Sequence, residues 1–529
     1  MRYLGTAAAL GALLAAAPAA AQTTHGGAHG NVGQITFANS CAPEVQGDLA
    51  HGVALLHAFW YAAGEETFRS VLARDPACGI AHWGIASLLM NNPLAGVGSL
   101  PGDVARAQAA VAEGRRIGAK TQRERDYIEA VAAYYENWAG TAESARQIAR
   151  SKAYEALAAM YSDDDEAQIF NALYIAGTQT QADQTFAAYA RSVAILDKQL
   201  AKDPKHPGVT HYLVHAFDAP PLAAQGLSAA RRFAGLAPDS PHVLHMPSHI
   251  FTRVGAWEES AATNERSIAV ALKGNETAEA FHASDYKVYA YLQLGQDGAA
   301  RKAMERAFAI QATSPSVAYT YAAAAMPARY AIERADWRGA AQLAVPAGGT
   351  PFTQALTLYA RGIGAARSGD VAGAEQAAAA LGERHKALLS AGNAYWANEV
   401  NIQHRAVNGL AAIAAKRTDD GLATLREAAG LEDRNEKHIV TPGRIVPARE
   451  LLADMLLEAG QPAAALKEYE ASQLREPNRF RGYFGAGRAA EAAGNRDAAQ
   501  AQYRRLLAMA KAADSPRPEL ANAKAFVGQ

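Results

Sequence analysis

The feature that most constrains this chain is a repeat near its C-terminus. Gly460, Ala465 and Tyr469 recur as Gly494, Ala499 and Tyr503, each 34 residues on, with Pro477 between the two units. A glycine suits a tight turn between helices, and a small alanine lets two helices cross closely. A proline stops a helix because it has no N–H and clashes with the preceding turn. Weaker copies run upstream. Gly255-Ala256-Trp257 leads to Ser260 and Asn264, and Gly295 leads to Ala300, Met304 and Ala307. Ala335-Asp336-Trp337 leads to Ala340, and Gly369 leads to Ala374. Units close at Pro76, Pro204, Pro238 and Pro477.

A 34-residue helix–turn–helix period is the tetratricopeptide (TPR) signature, and such units stack so that each contacts its neighbours. From about residue 45 onward apolar residues recur at spacings of three and four, and strand-like alternation is absent. The expected fold is therefore all-α: a TPR-like α-solenoid of antiparallel helix pairs in a right-handed superhelix. We divide it into repeats over 45–310, which carry most of the histidines, and further repeats over 311–529.

The chain has 529 residues, 50% hydrophobic and 19% charged, which is globular composition. A net charge of −1 argues against a polybasic nucleic-acid or membrane-surface binder, so no nucleic-acid partner is expected. Arg2, the small apolar stretch from Ala7 to Ala17 and Ala19-Ala20-Ala21 before Gln22 have the layout of a cleavable export signal over 1–21. No later stretch is long and apolar enough to span a membrane. The expectation is a periplasmic or secreted protein, with a flexible segment over 22–44. In an oxidising compartment Cys41 and Cys78 would form one disulfide, worth ~3–4 kcal/mol by chain entropy. Two separate buried thiols are the alternative.

The chain also resembles a family of exported bacterial TPR-like proteins marked by a cysteine motif and mid-chain histidine motifs. The matching segments are Phe37-Ala-Asn-Ser-Cys41, His57-Ala-Phe-Trp-Tyr61, Asp75-Pro-Ala-Cys78 with Trp83-Gly84, and His211-Tyr-Leu-Val-His215-Ala-Phe-Asp218. They continue with Pro241-His-Val-Leu-His-Met-Pro-Ser-His-Ile-Phe251, Asp285-Tyr-Lys-Val-Tyr-Ala-Tyr-Leu-Gln293 and Glu436-Lys-His-Ile-Val-Thr-Pro-Gly443. The resemblance implies the fold and export, and no particular reaction.

Six of the fifteen histidines fall between His206 and His249. His211/His215 and His245/His249 are i,i+4 pairs, which puts both rings of a pair on one helical face. Counting from Pro238, Gly255 and Gly295 as repeat landmarks assigns His211, His215, Asp218, His242, His245, His249, Arg253, His282, Asp285 and Tyr289 to concave positions of three consecutive first helices. Neutral imidazoles with a carboxylate suit a transition metal such as Zn, Cu or Fe. The expected metal set is His211, His215, Asp218, His245 and His249 around one centre. His242, Arg253, His282, Asp285 and Tyr289 would line the surrounding ligand groove. Pro247 threatens the second pair with a kink.

A metal centre binding or transforming a small ligand is one function. The other is a scaffold that grips a partner protein or extended peptide along the groove, with the histidines as hydrogen-bond donors. The HExxH glutamate is missing between His211 and His215, and there is no P-loop, Rossmann fingerprint or nucleophile elbow. Whether a reaction is catalysed stays open, as does the oligomeric state. Lesser candidates are His57 with Phe59-Trp60-Tyr61 as an aromatic wall, His82 beside Trp83, and Glu450 and Asp454 at concave positions. The loop His438 to Gly443 is placed to reach into the groove.

Overall fold

The structure, a computed structural model, describes residues 30–233, 235–311 and 316–528. The expected signal segment and residues 22–29 lie outside them. Among the described residues the regular elements are α-helices with two short 3-10 turns, and there is no strand. Successive helices pack against one another in pairs, as in Trp257–Lys273 on Thr277–Gln293 and Pro462–Arg475 on Phe480–Ala492.

The 34-residue landmarks do what their chemistry requires. Gly460 and Gly494 sit between helices at φ 73° and 75°, a region that strains any residue with a Cβ. Ala465, Ala499, Tyr469 and Tyr503 are all buried at helix crossings. One large core runs from Val32 to Phe251 and another from Tyr321 to Ala489. A smaller one, holding Phe281 and Met326, lies across the 310/311 division, so packing carries through it.

The part of the N-terminal segment that is described is packed, not loose. Val32 and Phe37 are buried, and Phe37 stacks on Trp83. The Asn31 N–H donates to Asp239, and Ser40 donates to Glu124. Apolar side chains at 32 and 37 give this stretch a reason to bind the repeats that glycine counting missed. Cys41 and Cys78 form the expected disulfide, with Cα atoms 4.8 Å apart.

The solenoid closes on itself. Trp257 Nε1 donates to Asn478 O, and the Asn478 amide donates to Val254 O. Arg517 pairs with Asp297, and Asp514 caps the backbone N–H groups of Gly298 and Ala299. The segment after the helix Thr418–Glu432 packs back against earlier repeats. There the Glu436 N–H donates to Gln181 O and His438 Nε2 donates to Ala95 O. Arg253, one of the residues that repeat counting assigns to the groove, thus faces this segment, paired with Glu436.

Candidate metal centre

Four helices bring the histidines together. His211 and His215 lie on Pro207–Ala216, His242 and His245 on Pro241–His245, His249 on Pro247–Val254, and His282 on Thr277–Gln293. Pro247 does split a helix, but the kink does not spoil the second pair. Met246 keeps right-handed helical dihedrals (φ −52°, ψ −39°) and caps both pieces, so His249 stays one turn beyond His245.

The rings gather as two triplets, not as the single four-histidine centre expected from spacing. Ligand atoms of His211, His215 and His242 lie within 4.8 Å of one another, and so do those of His245, His249 and His282. His211, His215, His245 and His249 are at most 3% exposed, so these are interior groups and not groove-surface ones. Within each i,i+4 pair the Nε2 atoms face each other at 3.1 Å.

The other ring nitrogens set the tautomers. His211 Nδ1 donates to the His57 carbonyl at 2.6 Å, which leaves Nε2 a lone pair. His215 answers that lone pair with its own Nε2–H, so the first pair can satisfy itself. The second pair cannot. His245 Nδ1 donates to Asn264 Oδ1 at 2.7 Å, and the Asn264 amide is oriented by donating to Ser260 O. His249 Nδ1 donates to Asp218 Oδ2 at 2.8 Å. Both Nε2 atoms of this pair therefore present lone pairs to each other. In addition, His242 Nε2 and His282 Nδ1 are buried with no hydrogen-bond partner. Burial, reinforced by the neighbouring rings, lowers His211, His215 and His245 well below the ordinary histidine value. His249 is also lowered by burial, against the pull of Asp218.

Asp218 orients the His249 ring and stands outside both triplets. Besides His249 it faces Arg253 Nε at 2.7 Å and Lys437 Nζ at 3.6 Å. Burial would raise its carboxyl; Lys437 and Arg253 hold it well below the usual range. Spacing alone shows none of these partners. His242 and His282, expected to line a groove, instead complete the triplets. Asp285 and Tyr289 belong to buried ionic lattices: Asp285 pairs with Arg329 at 2.9 Å, and the Tyr289 hydroxyl meets Arg479. Arg253 bridges Asp218 to Glu436 at 2.8 Å.

The lesser candidates sort similarly. The His57-Ala-Phe-Trp-Tyr61 motif belongs to the site: the His57 carbonyl holds His211, and the Phe59 ring packs 4.5 Å from His211 and 5.7 Å from His242. His57, Glu166 and His206 form a third cluster, but every nitrogen in it has a partner. His57 bonds Glu166 and Tyr212, and His206 bonds Glu166 and the Val209 N–H. His82 stays apart, and Trp83 is core, its indole donating to Tyr154. Glu450 and Asp454 pair with Arg479 and Arg481. The 438–443 loop does reach in, and Ile439 O accepts from Tyr286, whose hydroxyl oxygen is 3.4 Å from both His249 nitrogens.

An open cleft of about 760 Å³ meets the first triplet at His242 and is lined also by Phe59, Trp60, Tyr61, Glu276 and Glu279. Glu279, whose Oε2 lies 3.7 Å from His242 Nδ1, escaped the sequence reading. Its only signal there is the i,i+3 spacing to His282.

No protein-family model matches the chain, and no curated protein matches it. Solved structures with similar helical stacking include the human IFIT1 dimer with m7Gppp-AAAA, 12% identical with a TM-score of 0.37. The human IFIT1 dimer with PPP-AAAA is 13% identical with the same TM-score. Each alignment covers 82% of this chain and 90% of the other. At that level, what those proteins are bound to carries nothing over to this chain, for or against a nucleic-acid partner. Among the described residues no helix is long and apolar enough to cross a membrane.

Proposed function

We propose that the chain is a metal-bearing TPR-like solenoid that serves a small ligand entering by the Phe59–His242 cleft. The observation that carries this reading is the His245/His249 pair. Two buried lone pairs that face each other at 3.1 Å need a cation between them. A proton would meet the need, but burial opposes an imidazolium there, whereas a metal ion uses the same lone pairs as ligands. The fixed Nδ1 partners are what ligating histidines ordinarily have: an acceptor on the far nitrogen that sets tautomer and orientation.

Against the scaffold alternative, residues 436–443 pack against Arg253 and Tyr286, beside the histidines, where a gripped partner would have to lie. The Cys41–Cys78 disulfide favours an oxidising compartment, in keeping with the proposed export, and a reporter fused after the first repeats would test it by fractionation. We assign no catalytic step.

The decisive experiment is metal analysis of protein purified without a histidine tag. The wild type is expected to retain Zn, Cu or Fe, or to take one up from its salt, and His249→Gln to lose it in proportion while keeping its helical circular dichroism. A wild type that binds none of the three after exposure to each overturns the reading.

A further inference from the structure

The two triplets adjoin. His215 and His249 rings are 6.1 Å apart between centroids, and His242 and His245 rings are 6.4 Å apart. Each triplet supplies three imidazoles, and the first has one carboxylate at its edge, Glu279, whose buried Oε2 lacks a hydrogen-bond partner. The carboxylate-rich sets that hold paired iron or manganese ions in helix bundles have no counterpart here.

Charge is the selective term. Asp218 touches the site through His249, but Arg253 and Lys437 already face it. Glu279 is the remaining carboxylate at the edge of the centre, beside His242. Two divalent ions would place four positive charges among neutral, buried rings. The cost of burying an ion grows with the square of its charge, so monovalent ions are strongly preferred here. Among metals suited to imidazole, copper alone has a stable monovalent form, and that form accepts three ligands; zinc sites keep four.

We propose, on top of the metal-binding reading above, that the two triplets hold a pair of copper ions that bind dioxygen between them. Each cuprous ion gives one electron and dioxygen takes both. The O–O bond stays, no proton moves, and release of dioxygen returns the electrons. The second triplet is buried, while the first meets the cleft at His242, where Glu276 and Glu279 disfavour an anion and leave a small neutral molecule or a cation an entry. Phe59 on three rings of the first triplet, and Tyr286 against His245 and His249, enclose the pair in aromatic walls.

The test uses the full mature chain, stripped of metal and titrated with cuprous ion under nitrogen. About two coppers per chain are expected, since each triplet is a complete set of donors. Admitting air should then produce a coloured form whose electron paramagnetic resonance signal is far smaller than its copper content, because the two spins cancel. His282→Gln and His242→Gln should each keep about one copper and give the full signal of an isolated cupric ion. The pairing is overturned by a single copper, by two coppers with full signal intensity, or by uptake of zinc or iron with no copper. In those cases the metal-binding reading survives. No uptake of any metal overturns both. The wild-type signal alone decides the question if a variant fails to fold.

Discussion

At the residue scale, the same side chain does opposite jobs in neighbouring clusters, and the partner of each nitrogen decides which. Glu166 answers both His57 Nε2 and His206 Nε2, at 2.8 and 3.0 Å, so that cluster is closed by hydrogen bonds. Its burial alone would raise the Glu166 carboxyl, but the charges and hydrogen bonds of His57 and His206 outweigh it and hold it at about 2. A carboxyl lowered on folding stabilises the protein above its ordinary value near 4.5, and that contribution is lost as pH falls toward 2. Glu166→Gln cannot accept from both rings. It should cost about 1.5–3 kcal/mol at pH 7 and make the acid limb shallower. Urea midpoints of both proteins between pH 7 and pH 3 check this; parallel limbs would refute the assignment.

At the element scale, the helix turns show where the repeat has decayed. Gly255, Gly295 and Gly369 occupy left-handed turn positions, and Ala335 takes the same position at φ 53°. A Cβ there is strained by about 1 kcal/mol, partly offset by the greater freedom of glycine in the unfolded chain. Ala335→Gly should therefore raise stability by up to about 0.6 kcal/mol, read as a shift in the denaturation midpoint without a change in m-value. A destabilised variant would mean that the alanine methyl contributes more by packing than its backbone strain costs. Pro247 teaches a related lesson. A proline at the first position of a new helical piece costs no hydrogen bond, so it can punctuate a helix without turning His249 away from His245.

At the scale of the whole molecule, buried ion pairs fasten the 436–444 segment to the repeats and so shape the floor of the histidine centre. Arg329 is the clearest. It pairs with Asp285 at 2.9 Å and donates to Thr441 Oγ1, Gly443 O and Arg444 O. Both partners of the ion pair are fully buried. Arg329→Met should cost about 3–5 kcal/mol, because it strands the Asp285 charge. Amide exchange over residues 437–445 should quicken at the same time. Adding Asp285→Leu should recover part of the stability but not the protection of the loop. Recovery of both would show that the arginine acts only as the partner of Asp285.

Repeat period, helical class, disulfide partners and the i,i+4 histidine pairs were legible in the residues, because each depends on contacts within one helix pair or on a count of two. The frame even placed His211, His245 and His282 on successive first helices. What the frame lacked was the third dimension. Asp218 reads as a ligand until Arg253, 35 residues on, and Lys437, more than two hundred residues on, are seen to face it. His242 and His282 read as bystanders until folding sets each beside a pair one repeat before it. The 438–443 loop reads as one able to reach the groove, but only the fold shows its Ile439 carbonyl against Tyr286, beside His249. Local patterning is written by short-range sterics and burial, so a single sequence displays it. Which imidazole shares a centre with which depends on how the repeats are wound and closed, and those long-range contacts leave no spacing for a reader of the chain to count.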